Sequence, residues 1–259
     1  MAKSFAVACL FFTACTTLGS MPTTTGVSAV SHGRPGGEVQ LAVVPVFRLS
    51  NAASGKDRNG QSTAQLSALI DPDRWAVPGL ILGARVFGES HDSALEPYVG
   101  FRRTFGEGVS FAGVAYGTKM SATEEGASYE AIRAGGEIVA DVKMASFGSW
   151  GQLHAGGGIN AQYISSTGTY CVGDAGNAVD CSDDGTSPTV DGELDGAYTA
   201  GNLMLALDFA RRPHGNIHVV RVGAMFSFGH MPRLVGGRQQ YGDVFLSGGI
   251  GLTVGFGED

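Results

Sequence analysis

Apolar residues alternate with polar or small residues, with a period of two, through most of the chain. This alternation is typical of β-strands that have one apolar face. In the segment 198–209, for example, Leu203 and Leu205 share one face, and Asn202 and Asp208 share the other. The pattern predicts ten strands, over residues 38–49, 63–70, 76–87, 95–104, 108–120, 129–143, 152–163, 198–209, 217–228 and 243–256.

The connections between these segments alternate between short and long along the chain. The short ones are 71–74, 105–108, 145–148 and 211–216, and the longer ones are 50–62, 88–94, 121–128, 166–197 and 230–241. Outer-membrane barrels alternate short periplasmic turns with longer external loops in this way. An even strand number would place both chain ends on the short-turn side. Eight strands remain an alternative, in which 38–49 and 63–70 do not both join the barrel.

The composition narrows the class of protein further. The chain has 259 residues, of which 41 are glycine and 43% are hydrophobic, so it carries enough apolar surface for a folded protein. No uninterrupted apolar run reaches the length of a membrane-spanning helix. The formal net charge of −7 argues against a nucleic-acid partner, which requires a basic face.

The N-terminus predicts export from the cytoplasm. Residues 1–14 form a short signal with Lys3 before an apolar stretch, and residues 15–37 have the Thr, Ser, Gly and Pro composition of a flexible tether. The sequence Phe12-Thr13-Ala14-Cys15 resembles the lipobox of bacterial lipoproteins, which implies lipidation of Cys15. An ordinary signal peptide, cleaved after residues 27–29, is the alternative.

The polar face of the predicted strands carries charges of both signs. A soluble lipocalin-like barrel would turn its apolar faces inward, whereas a membrane barrel turns them outward. The recurring charges and the glycines share one face, and inside a narrow barrel these charges could pair, as burial demands. This arrangement favours the membrane barrel and predicts a charge network in the lumen, made of Arg48, Arg85, Glu96, Arg102, Arg133, Glu137, Asp141, Asp208 and Arg221.

In this pattern the segment 38–256 resembles the small bacterial outer-membrane β-barrel proteins, with Phe256 near the end of the last strand, and residues 38–259 are assigned to the barrel. The resemblance implies a closed antiparallel up-and-down membrane barrel of about ten strands. It also implies residence in the outer membrane, with lipid around the barrel and the N-terminus on the periplasmic side.

The predicted external loop 166–197 is acidic. Asp183, Asp184, Asp191, Glu193 and Asp195 are among its carboxylates, with no Lys or Arg between them. Such oxygen ligands could bind Ca²⁺, but the spacing is not that of an EF-hand, and a solvated acidic loop is the preferred interpretation. In an oxidising compartment Cys171 and Cys181 are expected to form a disulfide bond that staples this loop.

No catalytic signature accompanies these elements. The strand histidines His154 and His218 have no nucleophile motif, so neither an enzyme nor a cofactor is expected. The predicted function is that of a structural or interaction barrel, whose external loops contact a cell-surface partner or a ligand. A narrow porin-like channel and a soluble exported ligand-binding barrel are the alternatives.

Overall fold

The computed structural model describes residues 37–49, 60–70, 79–88, 93–106, 108–124, 127–172, 186, 188–214, 217–235 and 238–256. These residues form ten β-strands. The strands are β1 (Gly37–Leu49), β2 (Gly60–Ile70), β3 (Leu80–Gly88), β4 (Ser93–Phe105), β5 (Val109–Glu124), β6 (Ala127–Phe147), β7 (Gly151–Cys171), β8 (Thr189–His214), β9 (Ile217–Val235) and β10 (Arg238–Phe256). Within the described ranges no helix is long and apolar enough to cross a membrane.

The strands form one cyclic antiparallel sheet. Each strand pairs with its neighbours in sequence, and β1 pairs with β10. The predicted all-β antiparallel architecture is therefore confirmed, and each of the ten predicted segments overlaps one of these strands.

The stagger of the strands sets the shape of the barrel. A path through directly paired residues around the sheet starts at Tyr198 on β8 and returns to β8 at Ala210, twelve residues further along. The path runs through Gln162, Gly135, Tyr116, Tyr98, Gly83, Leu69, Glu38, Gly255 and Val219. With a rise of about 3.3 Å per residue and about 4.8 Å between strands, this stagger tilts the strands by about 40°.

Two turns at one end of the barrel define what we call the short-turn end. The turn after β4 contains Gly106 and the turn after β6 contains Gly148, each with a φ of 61°. This left-handed conformation suits glycine, which has no Cβ to clash with the backbone. We call the opposite end, toward which β7 and β8 continue, the extended end.

The structure corrects the predicted loop 166–197. Strand β7 continues to Cys171 and β8 begins at Thr189, so much of this segment is paired sheet. Asp191, Glu193 and Asp195 lie on β8, and their side chains are exposed. The alternation continues there, but the outer face is polar. A strand with a polar outer face has a composition similar to that of a loop, so the sequence alone predicted a loop.

Burial alternates along the strands and defines an inner and an outer face. On β8, Asn202, Ala206 and Asp208 are buried, while Leu203 and Leu205 are more than half exposed. The faces of β5 could not be predicted because both of them are apolar. Its inner face carries the buried Ala112, Val114 and Tyr116, and its outer face carries Phe111.

Glycines on the inner face leave space for the bulky side chains of neighbouring strands. A substitution of Gly135 on β6 tests this packing. A Cβ at Gly135 would lie 2.7 Å from the carbonyl oxygen of Ala161 and 2.8 Å from the hydroxyl oxygen of Tyr116. We expect Gly135→Ala to lower the free energy of unfolding by about 1–3 kcal/mol through overpacking, measured by urea denaturation in detergent micelles.

Gly113→Ala on the outer face of β5 is the matched control. The nearest atom to a Cβ there is the carbonyl oxygen of Glu137, at 3.9 Å. This change should stay within about 0.5 kcal/mol of the parent. Equal stability of the two variants would contradict the tight inner packing.

Candidate functional site: charge networks on the inner face

Three networks of polar side chains follow one another along the inner face of the sheet. Strand β6 contributes one residue to each of them, at steps of four residues: Arg133, Glu137 and Asp141. Four residues of a strand span about 13 Å before the tilt is considered. Because β6 runs toward the short-turn end, we call them the upper network (Arg133), the middle network (Glu137) and the lower network (Asp141).

The upper network is built around Glu96 on β4. Its carboxylate accepts a hydrogen bond from Arg85 Nε on β3, and its other oxygen accepts from Arg133 Nε at 2.8 Å and from Arg133 Nη2. All three side chains are at most 1% exposed. One carboxylate therefore holds two guanidinium groups, one of them from a strand that is not its neighbour in the sheet.

Tyrosine rings surround these guanidinium groups. Arg85 Cζ lies 4.5 Å from the ring centroid of Tyr116 and 5.8 Å from that of Tyr98. Arg133 Cζ lies 5.6 Å from the Tyr116 centroid. The Tyr116 hydroxyl donates to Asn160 Oδ1 at 3.0 Å. Ring faces attract cations, so these contacts support the buried charge without supplying hydrogen-bond acceptors.

The middle network links three strands by neutral and charged groups. Asn202 Nδ2 on β8 donates to Glu137 Oε1 at 2.7 Å, and Ser227 Oγ on β9 donates to Asn202 Oδ1 at 2.6 Å. All three side chains are at most 8% exposed. The amide of Asn202 therefore serves as donor and acceptor at once and relays the contact from β6 to β9.

The lower network pairs Arg221 on β9 with two carboxylates. Arg221 Nε and Nη2 donate to the two oxygens of Asp208 at 2.6 and 2.8 Å, and Nη2 also donates to Asp141 Oδ2 at 2.9 Å. His154 Nδ1 lies 3.1 Å from Asp141 Oδ2, and His154 Nε2 lies 3.3 Å from Asp208 Oδ2. The two-pronged pair with Asp208 has the geometry of a strong charge-assisted interaction.

Buried positive and negative charges balance in number within the described part of the chain. Four arginines and four carboxylates are buried there: Arg85, Arg102, Arg133, Arg221, Glu96, Glu137, Asp141 and Asp208. The balance does not hold locally. The upper network has two guanidinium groups for one carboxylate, and the lower network has two carboxylates for one guanidinium group, with His154 between them.

The structure buries eight of the nine residues predicted for the inner face, all but Arg48. Arg48 lies on β1, but its side chain falls outside the described residues. Cys15, Asp183 and Asp184 also lie outside them.

Cys171, at the end of β7, is disulfide-bonded and 2% exposed. The other three cysteines fall outside the described residues, so the pairing with Cys181 stays a prediction.

The sequence analysis missed the tyrosines and amides of the site. They lie on the same inner faces as the predicted charges, at every second position of their strands: Tyr98, Tyr116, Asn160 and Gln162. This shared face is the signal that could have revealed them. Among the described residues, no group of three or more His, Cys, Asp or Glu side chains is placed to hold a metal ion.

The comparisons with known proteins give a loose likeness of shape. No protein-family profile matches the chain, and no curated protein sequence matches it. Among solved structures, Neisserial surface protein A is similar over 85% of this chain and 97% of its own, with 12% identity and a TM-score of 0.35. The translocator domain of the autotransporter NalP from Neisseria meningitidis is similar over 87% and 90%, with 12% identity and a TM-score of 0.34.

A third structure is the attachment invasion locus protein Ail of Yersinia pestis, similar over 86% of this chain and 99% of its own. Its identity is 10% and its TM-score 0.31. All three scores are low, so we draw no conclusion on function from them.

A substitution in the lower network measures how much stability is lost when a buried ion pair is broken. Arg221→Met leaves the carboxylates of Asp208 and Asp141 buried without their cation. We expect it to lower the free energy of unfolding by about 3–5 kcal/mol, measured by denaturant titration in micelles.

Lys119→Met is the control, because Lys119 forms a 2.9 Å pair with Glu130 in which both side chains are more than 60% exposed. This change should cost less than about 1 kcal/mol. A similar loss in both variants would show that the lower network contributes no more than a surface pair.

Proposed function

We propose that this chain is an outer-membrane β-barrel of structural or interaction type, with ten transmembrane strands and a lumen filled by paired charges. Its extended end would contact a partner or ligand at the cell surface. The proposal assigns the chain no catalytic role and no cofactor. It includes the signal of residues 1–14, lipidation of Cys15, the tether of residues 15–37, a periplasmic N-terminus and the Cys171–Cys181 disulfide.

The proposal rests on the distribution of polar and apolar side chains, which is the reverse of that in a water-soluble barrel. Arg85, Arg133 and Glu96 are at most 1% exposed, whereas Ile138, Ile159 and Ile250 are 67%, 68% and 69% exposed. A barrel in water would bury the isoleucines and expose the charges. A barrel in lipid needs an apolar outer face and tolerates a polar interior. The distribution therefore argues against the soluble ligand-binding alternative.

The height of the apolar outer face fits a bilayer. On β7 it extends from Leu153 to Tyr163, and on β6 from Ile132 to Met144. At a tilt of about 40° these spans are about 25 and 30 Å tall, which is the thickness of the hydrocarbon layer. The outward positions of β6 between Ile132 and Met144 carry no charge.

Aromatic and charged residues lie at the two borders of this apolar face. Near the short-turn end, the rings of Phe147 and Trp150 stack at 5.4 Å, and Phe105 contacts Phe111 edge-on at 5.8 Å. Exposed aromatic residues are typical of the interface between lipid and water. At the opposite border, Lys119 is paired across the strands with Ile132, and its ion pair with Glu130 marks the edge of the apolar face.

Strands β7 and β8 continue beyond the apolar face, and we call residues 164–171 and 189–198 the projecting wall. Its outer side presents paired hydroxyl and acidic residues, with Thr169 Oγ1 donating to Asp191 Oδ1 at 2.9 Å. Its inner side is buried, and burial raises the pKa of the Tyr170 hydroxyl, which lies 2.6 Å from Ser166 Oγ. This exposed polar sheet is the surface that we assign to partner contact.

The first experiment compares boiled and unboiled protein from outer membranes on a denaturing gel. A closed membrane barrel should run as a compact band that shifts on boiling. A Cys15→Ala variant should keep the shift and lose metabolic lipid label. Protein that stays in the aqueous fraction and shows no shift would refute the membrane barrel, and retained label in the variant would refute lipidation of Cys15.

Lysine substitutions at two outward positions test which part of the outer face lies in the bilayer. Ile138→Lys places a charge at mid-height of the apolar face, where it should lower the free energy of unfolding by about 2–4 kcal/mol in lipid vesicles. Thr167→Lys, on the exposed outer side of the projecting wall, should change it by less than about 0.5 kcal/mol. Equal effects would contradict the placement of the bilayer.

A further inference from the structure

Strand β8 has an open edge at the extended end of the barrel. Its pairing with β9 begins at Thr199, opposite His230, so among the described strands residues 189–198 pair only with β7. Residues 231–235 of β9 pair with β10 instead, and a register shift follows Gln240 of β10 at this level. Such an irregularity bends a strand. The projecting wall therefore ends in a strand edge that β9 does not cover.

The odd-numbered residues of this edge turn their backbone polar groups away from β7. Successive residues of a strand direct their N–H and C=O groups to opposite sides. Asp195 N donates to Gln239 Oε1 of β10 at 2.6 Å, so this N–H points away from β7. Asp191 and Glu193 share its direction. Their N–H and C=O groups consequently face the open side, where no strand of the described chain pairs with them.

An unpaired edge of this kind is a template for a further strand. In complexes formed by strand addition, an extended peptide lies along a sheet edge. The main-chain hydrogen bonds supply the affinity, and every second side chain supplies the specificity. The side chains beside the edge of β8 therefore indicate which peptide would fit.

The outer side of the edge is acidic. Asp191, Glu193 and Asp195 are exposed there, and the projecting wall contains no Lys or Arg. On an added strand, the residues directly opposite these carboxylates point to the same side, with Cβ atoms about 4.5–5.5 Å away. Basic residues at every second position of the peptide would therefore form ion pairs across the strands.

The inner side of the edge is apolar and determines the positions between the basic residues. Val190, Gly192 and Leu194 carry no polar side-chain group, and Leu194 is fully buried. Small or apolar residues fit beside them, because a charged side chain would lose its water there without gaining a partner. The fitting peptide thus alternates basic with apolar residues.

Charge argues against two other occupants of the edge. A second copy of this chain, paired antiparallel about Glu193, would place Asp191 opposite Asp195 and Glu193 opposite itself. Like charges that are directly opposite on neighbouring strands are destabilising. The segment 173–185 of this chain contains four Asp and no Lys or Arg, so it offers no complementary charge either.

We propose that the edge of β8 at residues 189–193 binds an extended segment of a partner protein as an additional β-strand, with basic residues of the partner opposite the carboxylates. The inference rests on the proposed function, which assigns partner contact to the extended end. It deepens that function by naming the mode of binding and the chemistry of the partner. The side chain of Gln239 already occupies the N–H of Asp195, so Asp191 and Glu193 supply the backbone contacts.

The experiment measures the binding of a fluorescent peptide to the full-length protein by fluorescence anisotropy. The peptide has about six residues, the usual length of a strand, and alternates lysine with valine. The protein is held in micelles of an uncharged detergent at physiological ionic strength, so that the micelle does not attract the peptide. We expect saturable binding, and binding at least tenfold weaker for a peptide that alternates glutamate with valine.

Two N-methylated peptides separate strand addition from attraction between charges. Both keep every lysine charge, but one is methylated on the backbone nitrogens of its lysines and the other on those of its valines. An added strand turns every second N–H toward β8 and the others away from it. Only one of the two peptides should therefore lose affinity, by at least tenfold.

Variants connect the binding to the edge. Glu193→Pro removes an N–H that the ladder with β7 does not use, a position where a strand tolerates proline, and it should weaken binding at least tenfold. Glu193→Gln keeps the N–H and loses the charge, and it should weaken binding severalfold.

Glu130→Gln is the matched control for the loss of charge. Glu130 is exposed on β6, and β7 lies between β6 and β8. It is therefore two strand spacings, about 10 Å, from β8, and at physiological ionic strength charges are screened beyond about 8 Å. This variant should bind the peptide like the parent.

Three results would overturn the inference: no saturable binding, equal affinity for the two methylated peptides, or equal binding by Glu193→Pro and the parent. A dimer of the parent that excludes the peptide and that Glu193→Pro separates would assign the edge to a second copy instead. All of these are read on protein that first shows the compact, heat-modifiable band, so they leave the barrel standing.

Absence of that band from the parent refutes the proposed function itself. If only Glu193→Pro lacks the band, the methylated peptides carry the test on the parent protein.

Discussion

Moving a carboxylate or a guanidinium group out of water costs several kcal/mol unless an opposite charge and hydrogen bonds replace the lost hydration. The inner face of this sheet supplies the opposite charges, with eight buried charged residues of balanced sign. The pairs join strands across the lumen as well as neighbours. Glu96 on β4 binds Arg133 on β6, and Asp141 on β6 binds Arg221 on β9. The interior is therefore cross-linked by charge.

The glycines follow from the same constraint. Long arginine and tyrosine side chains must fit within a barrel whose interior is barely wider than the side chains that fill it. Gly135 shows how the space is found: its missing Cβ leaves room for the Tyr116 hydroxyl and for Gln162. The outer face also has glycines, such as Gly113, but it carries exposed large aliphatic and aromatic residues beside them.

Much of the fold was predictable from the sequence because alternation reports directly on the two faces of a strand. The inward position of residues such as Arg133 and Asp208 followed from their neighbours, Ile132 and Leu207. The method failed on β5, where Val114 and Tyr116 make the inner face as apolar as the outer one. It also failed on Asp191–Asp195, because a strand in water alternates polar residues with only a few apolar ones.

The partners within the networks could not be predicted from the sequence. Alternation shows that Glu96 points inward, but its two guanidinium partners are set by the stagger of the strands around the barrel. Asn202 and Gln162 carried no signal beyond their parity, since an amide on an inner face can be paired or unpaired. Contacts between strands that are far apart in sequence require the closed sheet.

The bidentate pair of Asp208 and Arg221 has a consequence for how the strands find one another. A hydrophobic pattern with a period of two fixes which face of a strand points outward, but it cannot tell the native alignment from a slip of two residues. Such a slip of β8 along β9 would keep every leucine outward, yet it would move Asp208 about 7 Å from Arg221. The ion pairs thus specify the alignment that the apolar face leaves undetermined. In a misaligned hairpin Asp208 and Arg221 would stay unpaired until the strands shifted back.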